Sequence, residues 1–328
     1  MNITRNTTDN SPVTRRSAGV TPGLTAAAIA TALTLSACGG SSDAASTTPA
    51  GGSTGSSSAS AAVTGVQTDA AARALLPQSV KDSNQILLGV TQVTGTSGLP
   101  HAGVQDGKEV GLDLDIRAAV AGKLGITFKP QTGTFQTIVP GVQSGKYQVG
   151  QANFGVTKDR LKVVDFATYL VDGQSFVGSK DVKVDSVKSL LDVCGLKVAT
   201  SPGTTFQKLL ESNKAECAKA GKQPYTVQYF ADTAPIYLGL QNGKVDVYFG
   251  PTLSLKVLIT KIPGTRYLGE VAHTKVGFVT AKGSPFAPAL NAAVNSLIKD
   301  GTYAKLFAKW NVADSVIAKS EINPSPSF

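Results

Sequence analysis

The chain predicts an α/β fold whose open sheets are divided between two lobes. From Gln85 onward, short apolar runs alternate with amphipathic segments, the pattern of strands joined by crossover helices. That alternation continues for about 230 residues, too long for one small domain, and no tandem repeat interrupts it.

Ahead of this body, residues 1–16 carry Arg5, Arg15 and Arg16 against one acid, Asp9, and GLTAAAIATALTLSA (23–37) is mostly apolar. A charged start, an apolar run and small residues before a break read as a secretory leader over 1–37. The run is short of the roughly 20 residues a membrane span needs. Arg15-Arg16 lacks the rest of a twin-arginine signal. LSAC (35–38) resembles the lipobox of bacterial lipoproteins, which implies cleavage before Cys38 and acylation of its sulfur; the alternative is an ordinary leader with a coincidental cysteine. Residues 39–66 are nearly all Gly, Ser, Ala and Thr and cannot bury enough apolar surface to offset ordering. As a coil of about 30 residues they span on the order of 30 Å, so 38–84 is expected to be a tether, its last part (67–84) leading into the fold. A tether makes sense if Cys38 is held at the outer face of a cell membrane.

Removing Cys38 leaves Cys194 and Cys217, an even number suited to an oxidising compartment. A bridge between them would contribute about 3 kcal/mol; the alternative is two free thiols. Two histidines, His101 and His273, complete a set with no metal-ligand spacing, so neither a metal nor a cofactor is expected, and either histidine reads as a surface or packing residue. The net charge of +9 comes from scattered lysines with no interleaved aromatics, which argues against nucleic acid as a partner.

The elements follow in order. ILLGV (86–90) reads as a strand. DLDIRAAVAGKL (113–124) puts Ile116, Ala119, Val120 and Leu124 on one helical face, with Asp113 as its cap. ITF (126–128) is a strand, Phe135, Ile138, Val139 and Val142 recur at helical spacing despite Pro140, and YQVGQ (147–151) is a strand. KVAT (197–200) precedes a helix opening at GTTFQ; TVQYF, a helix from Asp232, VDVYF (245–249), a helix near 252–260 and VGFVT (276–280) continue the alternation. Pro285 suits the first turn of the next helix and Gly301 its end. Tyr303, Leu306, Phe307 and Trp310 mark the last helix.

Five stretches in this order are specific together: a strand ending in Gly-Thr, DGKEVGLDLDI (106–116), FQTIVPGVQSGK (135–146), TKDRLKVVDFATY (157–169) and DGTYAKLFAKW (300–310). The span 85–312 resembles the family 3 solute-binding proteins, which deliver polar amino acids to ABC importers. The resemblance implies a two-lobed periplasmic-binding-protein-like fold of type II, with two hinge strands and a ligand cleft between the lobes. Lobe one would comprise 85–178 and 273–312, lobe two 179–272, and 313–328 a tail. DVCG…AECAKAGK resembles a subgroup bridged in its second lobe, favouring Cys194–Cys217.

In that cleft Arg160 matches the arginine that clamps a ligand α-carboxylate, through two parallel hydrogen bonds that lysine cannot copy; the alternative is a surface pair with Asp159. Thr204 and Gln207 fit a capping box, and Thr205, at a helix start, is expected to hold the same carboxylate. Phe135 matches an aromatic that stacks on the ligand, or else belongs to the lobe-one core. Backbone carbonyls at Asn153 and Gly155 would meet a ligand amine. Departures are equally informative. Pro251 stands where the family has an ammonium-binding acid, the position of the acid often found in the first loop falls near Thr91, so that acid too is missing, and TSGLPHAG (96–103) replaces a Tyr-Pro-Pro-Phe element. A buried ammonium without a carboxylate is expensive, so Asp232 or another acid substitutes, or the ligand is a small carboxylate without an amine.

The expectation is a monomeric, non-catalytic, lipid-anchored binding protein whose partners are a small ligand, an ABC permease and the membrane. The alternatives are an enzyme on the same scaffold, such as a dehydratase or lytic transglycosylase, and a ligand-sensing module. An enzyme needs a general acid in the cleft, and neither Glu109 nor Glu270 sits in a motif assigning that role.

Overall fold

Two long strands, β6 (Val164–Gly178) and β10 (Arg266–Ala281), pair antiparallel over almost their whole length and organise the molecule. In this computed structural model residues 65–92 and 94–327 are described; residues 1–64, on which the expected leader, Cys38 and most of the expected tether fall, lie outside the described residues. Beside β10 come β5 (Val149–Gly155), β1 (Gln85–Thr91) and β4 (Thr127–Gly133); beside β6 come β9 (Val247–Pro251), β7 (Lys197–Thr200) and β8 (Thr226–Tyr229). β1 runs parallel to β4 and β5, and β7 parallel to β8 and β9. The neighbours use different ends of the long pair. β5 pairs with β10 at 276–280, whereas β9 pairs with β6 at 174–178. One curled mixed sheet is therefore divided into two halves joined by β6 and β10, the two-lobed α/β fold expected.

Each half has a core on both faces of its sheet. In the first, α3 (Leu112–Leu124), α9 (Phe286–Lys299) and α10 (Thr302–Lys309) cover one face, burying Ile116, Val120, Leu290, Val294 and Phe307 with Leu88 and Phe278. On the other face, α4 (Phe135–Gln143) buries Ile138 and Val142 with Tyr147 and Phe166. In the second half, α6 (Thr205–Lys219) packs Leu210 and Cys217 with Phe176 and Phe249, while α7 (Thr233–Gln241) and α8 (Thr252–Lys261) pack Ile236, Leu240 and Leu255 with Tyr248. The Cys194–Cys217 bridge is present, with Cα atoms 5.7 Å apart.

Four differences from the sequence reading have physical causes. First, the tether boundary at 84 is too late. Residues 70–83 form α1 (Ala70–Ala74) and α2 (Gln78–Ser83), with Ala72, Leu76 and Val80 buried against the first core. Arg73 also donates to the Leu124 and Gly125 carbonyls at 2.8 and 2.7 Å, satisfying the open end of α3. Second, Asp113 does not cap α3; Gly111 occupies that position. The Leu112 and Asp113 N–H groups donate instead to the Pro100 and His101 carbonyls, at 2.7 and 3.0 Å. Gly111 has φ 148°, and a Cβ there would lie 2.2 Å from the His101 carbonyl oxygen, so only glycine fits this approach. Third, residues 103–110 form a hairpin of β2 (Gly103–Gln105) and β3 (Lys108–Val110) that short polar strands conceal in the sequence. Fourth, the segment read as a tail lies along β6. The Thr168 N–H donates to the Glu321 carbonyl at 3.1 Å and the Phe166 N–H to Asn323 Oδ1 at 2.8 Å, which covers an edge that would otherwise be open. Pro285 sits one position before α9 rather than in its first turn, and Gly301 follows its end.

Two of the five sequence stretches meet in this fold. Asp115, buried on α3, accepts from Lys309 Nζ at 2.6 Å and Trp310 Nε1 at 2.7 Å, so DLD and KW form one hydrogen-bonded lock between chain segments far apart in sequence.

Candidate ligand-binding site

Where the two halves face each other lies a cavity of about 250 Å³, below the roughly 300–1,000 Å³ of drug-sized ligand sites and suited to a single small metabolite. Phe135, Asn153, Gly155, Arg160, Thr204, Thr205 and Asp232 all line it. The structure thus brings all seven sequence-selected residues together.

Arg160 sits on the short helix α5 (Lys158–Leu161), capped by the Thr157 hydroxyl, which accepts from the Arg160 N–H at 3.2 Å. Its Nη1 donates to the Gly155 carbonyl at 2.9 Å and its Nη2 to the Gly203 carbonyl, from the opposite half, at 3.1 Å. Its Cζ lies 5.4 Å from the Phe135 ring centroid and 5.5 Å from that of Phe154, within cation–π range. Burial pushes this guanidinium down to about 10, with no acidic side chain to oppose the shift; it stays charged at neutral pH. The alternative pairing fails, because Asp159 binds Lys162 at 2.9 Å and Lys208, and those two lysines hold its carboxyl down to about 2. The Gly155 carbonyl, expected to meet a ligand amine, is engaged by Arg160 instead. Phe135 lines the cavity and also packs on the Phe154 ring, 4.8 Å away between centroids.

From the other half, α6 presents its N-terminus. Thr204 caps it, accepting from the Gln207 N–H at 3.2 Å. The reciprocal arm of the expected capping box is displaced by one residue, for Gln207 Oε1 accepts from the Gly203 N–H at 2.6 Å. Thr205, in the first turn, is buried in the cavity wall. Asp232 precedes α7 without bonding to it and is exposed at the rim.

Sequence reasoning missed the charged floor. His101, read as a surface or packing residue, is buried with Nε2 2.9 Å from Asp172 Oδ2 and Nδ1 3.6 Å from Asp113 Oδ2. Burial alone would lower this imidazole, but the two carboxylates outweigh it and raise it to about 10. Asp172, on β6, also accepts from Asn153 Nδ2 at 3.0 Å and from the Gly173 and Leu253 N–H groups at 2.8 and 3.1 Å. Asn153 is aimed there by a left-handed backbone (φ 54°) at a register shift between β5 and β10, as bulges beside sites do. The replaced 96–103 element was the one signal pointing to His101; Asp172 sits inside an apolar strand and gave none.

Comparison with known proteins accords with this geometry. The chain is 28% identical over 228 residues to the arginine-binding protein ArgT of Corynebacterium glutamicum, covering 67% of this chain and 73% of that one. It is 27% identical over 238 residues to the ABC transporter glutamine-binding protein GlnH of Bacillus subtilis, covering 71% and 83%. Among solved structures, an ancestral arginine-binding protein bound to arginine superposes with a TM-score of 0.60 at 30% identity, covering 69% of this chain and 98% of that one. The sequence profile of the bacterial extracellular solute-binding proteins, family 3, matches residues 93–313, more than half of the chain, which therefore belongs to that family.

Proposed function

We propose that this chain is the extracytoplasmic substrate-binding protein of an ABC importer, anchored through an acylated Cys38, and that it takes a polar amino acid or related small carboxylate into the cavity between its halves. The observation that carries the reading is Arg160. A half-buried guanidinium held by two carbonyls and two aromatic rings, with no ion pair among the described residues, is costly unless an anion joins it. A carboxylate would meet it above Phe135 while the N–H groups at the start of α6 approach from the other side. Lobes at 85–178 with 273–312 and at 179–272 would close on the ligand by bending at β6 and β10, the ligand favouring the closed form by touching both. Binding without turnover then hands the ligand to a permease.

Calorimetric titration of the full chain against amino acids and small carboxylates tests this. Arg160→Ala should weaken every carboxylate hit by at least a hundredfold, since a charged bidentate pair is lost. Undiminished affinity in that variant would sink the clamp, and recovery of a chemically altered ligand would favour the enzyme reading. Radiolabelled palmitate incorporation that disappears in Cys38→Ser tests the anchor.

A further inference from the structure

Among the described residues the cavity lining contains three buried carboxylate or imidazole side chains, His101, Asp113 and Asp172, besides Arg160 and the exposed Asp232 at the rim. Asp113 and Asp172 are 6% and 4% exposed. His101 lies between them, both ring nitrogens facing carboxylate oxygens. A carboxylate oxygen faces each ring nitrogen, which favours the doubly protonated cation; Nε2 bonds Asp172, while Nδ1, 3.6 Å from Asp113, lies beyond hydrogen-bond reach. Arg117, one turn along α3 and outside the cavity lining, interacts electrostatically with Asp113 and Glu109. The two floor carboxylates thus face His101 directly. Asp172 is further saturated, each of its oxygens accepting two hydrogen bonds.

Four polar atoms on cavity-lining side chains have no hydrogen-bond partner among the described residues: His101 Nδ1, which faces Asp113, and the acceptors Asp113 Oδ1, Asn153 Oδ1 and Gln174 Oε1. The Asn153 orientation is fixed, because its Nδ2 donates to Asp172. These acceptors lie a measured way from the carboxylate clamp. Asn153 and Gly155 are two residues apart on β5, about 7 Å, so a ligand reaching both ends has a carboxylate at one end and hydrogen-bond donors several bonds away.

Resting on the reading of Arg160 as the carboxylate clamp, we propose that His101 sets the specificity of this site: by neutralising the carboxylates of the floor it excludes ligands with a cationic side chain and leaves acceptors for an uncharged donor, so the ligand is an amino acid of the side-chain amide class. A guanidinium or ammonium side chain placed there would set a further positive charge against the buried His101 cation; an amide NH₂ would satisfy two orphaned acceptors without adding charge.

The test is a calorimetric comparison of L-glutamine, L-asparagine, L-arginine and L-lysine on the full chain. Wild type should bind an amide ligand at least tenfold more tightly than either cationic one. His101→Gln should move that ratio at least tenfold toward arginine, and Asp113→Asn should move it the opposite way. Should His101→Gln fail to fold, the wild-type ratio and Asp113→Asn still decide. Wild type preferring arginine or lysine, or a ratio unmoved in the folded variants, overturns the proposal. Arg160→Ala separates the two levels: it should weaken all four ligands together, and if it does not, the clamp is wrong while the ratio still reports on His101.

Discussion

At the scale of single residues, the His101 imidazolium makes stability depend on pH in a definite direction. Its folded value is raised from 6.5 to about 10 by Asp113 and Asp172 against the opposing effect of burial. Below pH 6.5 both folded and unfolded chains hold the proton and the contribution is complete. Between 6.5 and about 10 only the folded chain holds it, so stability falls as pH rises through that window. Thermal unfolding at pH 6, 8 and 10 should show wild type losing more of its melting temperature than His101→Gln over the same interval. The pair was hard to read from the sequence for a simple reason. A lone histidine carries no spacing information, and its partners lie 12 and 71 positions away on a helix and a strand whose apolar neighbours advertise only core. Arg160 was legible because its motif, Thr-x-x-Arg before a strand, places a cation on one capped turn.

At the scale of elements, the Cys194–Cys217 bridge ties the end of a 3₁₀ turn (Leu190–Val193) to the last turn of α6, across a sequence separation of 23. Closing such a loop contributes about 3 kcal/mol. Replacing both cysteines by serine or alanine should lower the melting temperature by about 6–12 °C, and the last turn of α6 should lose protection in hydrogen exchange because the bridge anchors that end. The helices and central strands were legible in the sequence, since periods of 3.6 and short apolar runs are strong signals. The β2–β3 hairpin and α1–α2 were not: each is too short to show a period, and α1 and α2 are held by Arg73 and by three buried side chains rather than by propensity.

At the scale of the whole molecule, the halves are clasped around the cavity by hydrogen bonds at its edge, one of them from Tyr237, which does not line it. The Tyr237 hydroxyl donates to the Ser97 carbonyl at 2.7 Å, Thr233 Oγ1 donates to Ser97 Oγ at 2.9 Å and Ser254 Oγ donates to the Gly98 carbonyl at 3.4 Å. All three run from α7 and α8 to the segment after β1. Tyr237→Phe removes one such bond, worth about 1 kcal/mol, from the clasped arrangement alone. Ligand affinity should fall about fivefold, and small-angle scattering of the ligand-free chain should show a larger radius of gyration. A variant with unchanged affinity would mean that the clasp does not bias the equilibrium.

The return of the chain to its starting half carries a consequence for assembly. Residues 179–265 supply every strand and helix of the second half except the two long crossing strands, so that half is complete once β10 has been made. The first half waits for α9, α10 and the Glu321–Asn323 stretch that zips onto β6. During directional synthesis, the portion that emerges first is thus the portion finished last. Pulse-labelling during refolding should find amides of α6 and β7 protected before those of β1 and α3, and truncation at residue 312 should leave the early product intact while the late one stays open to protease.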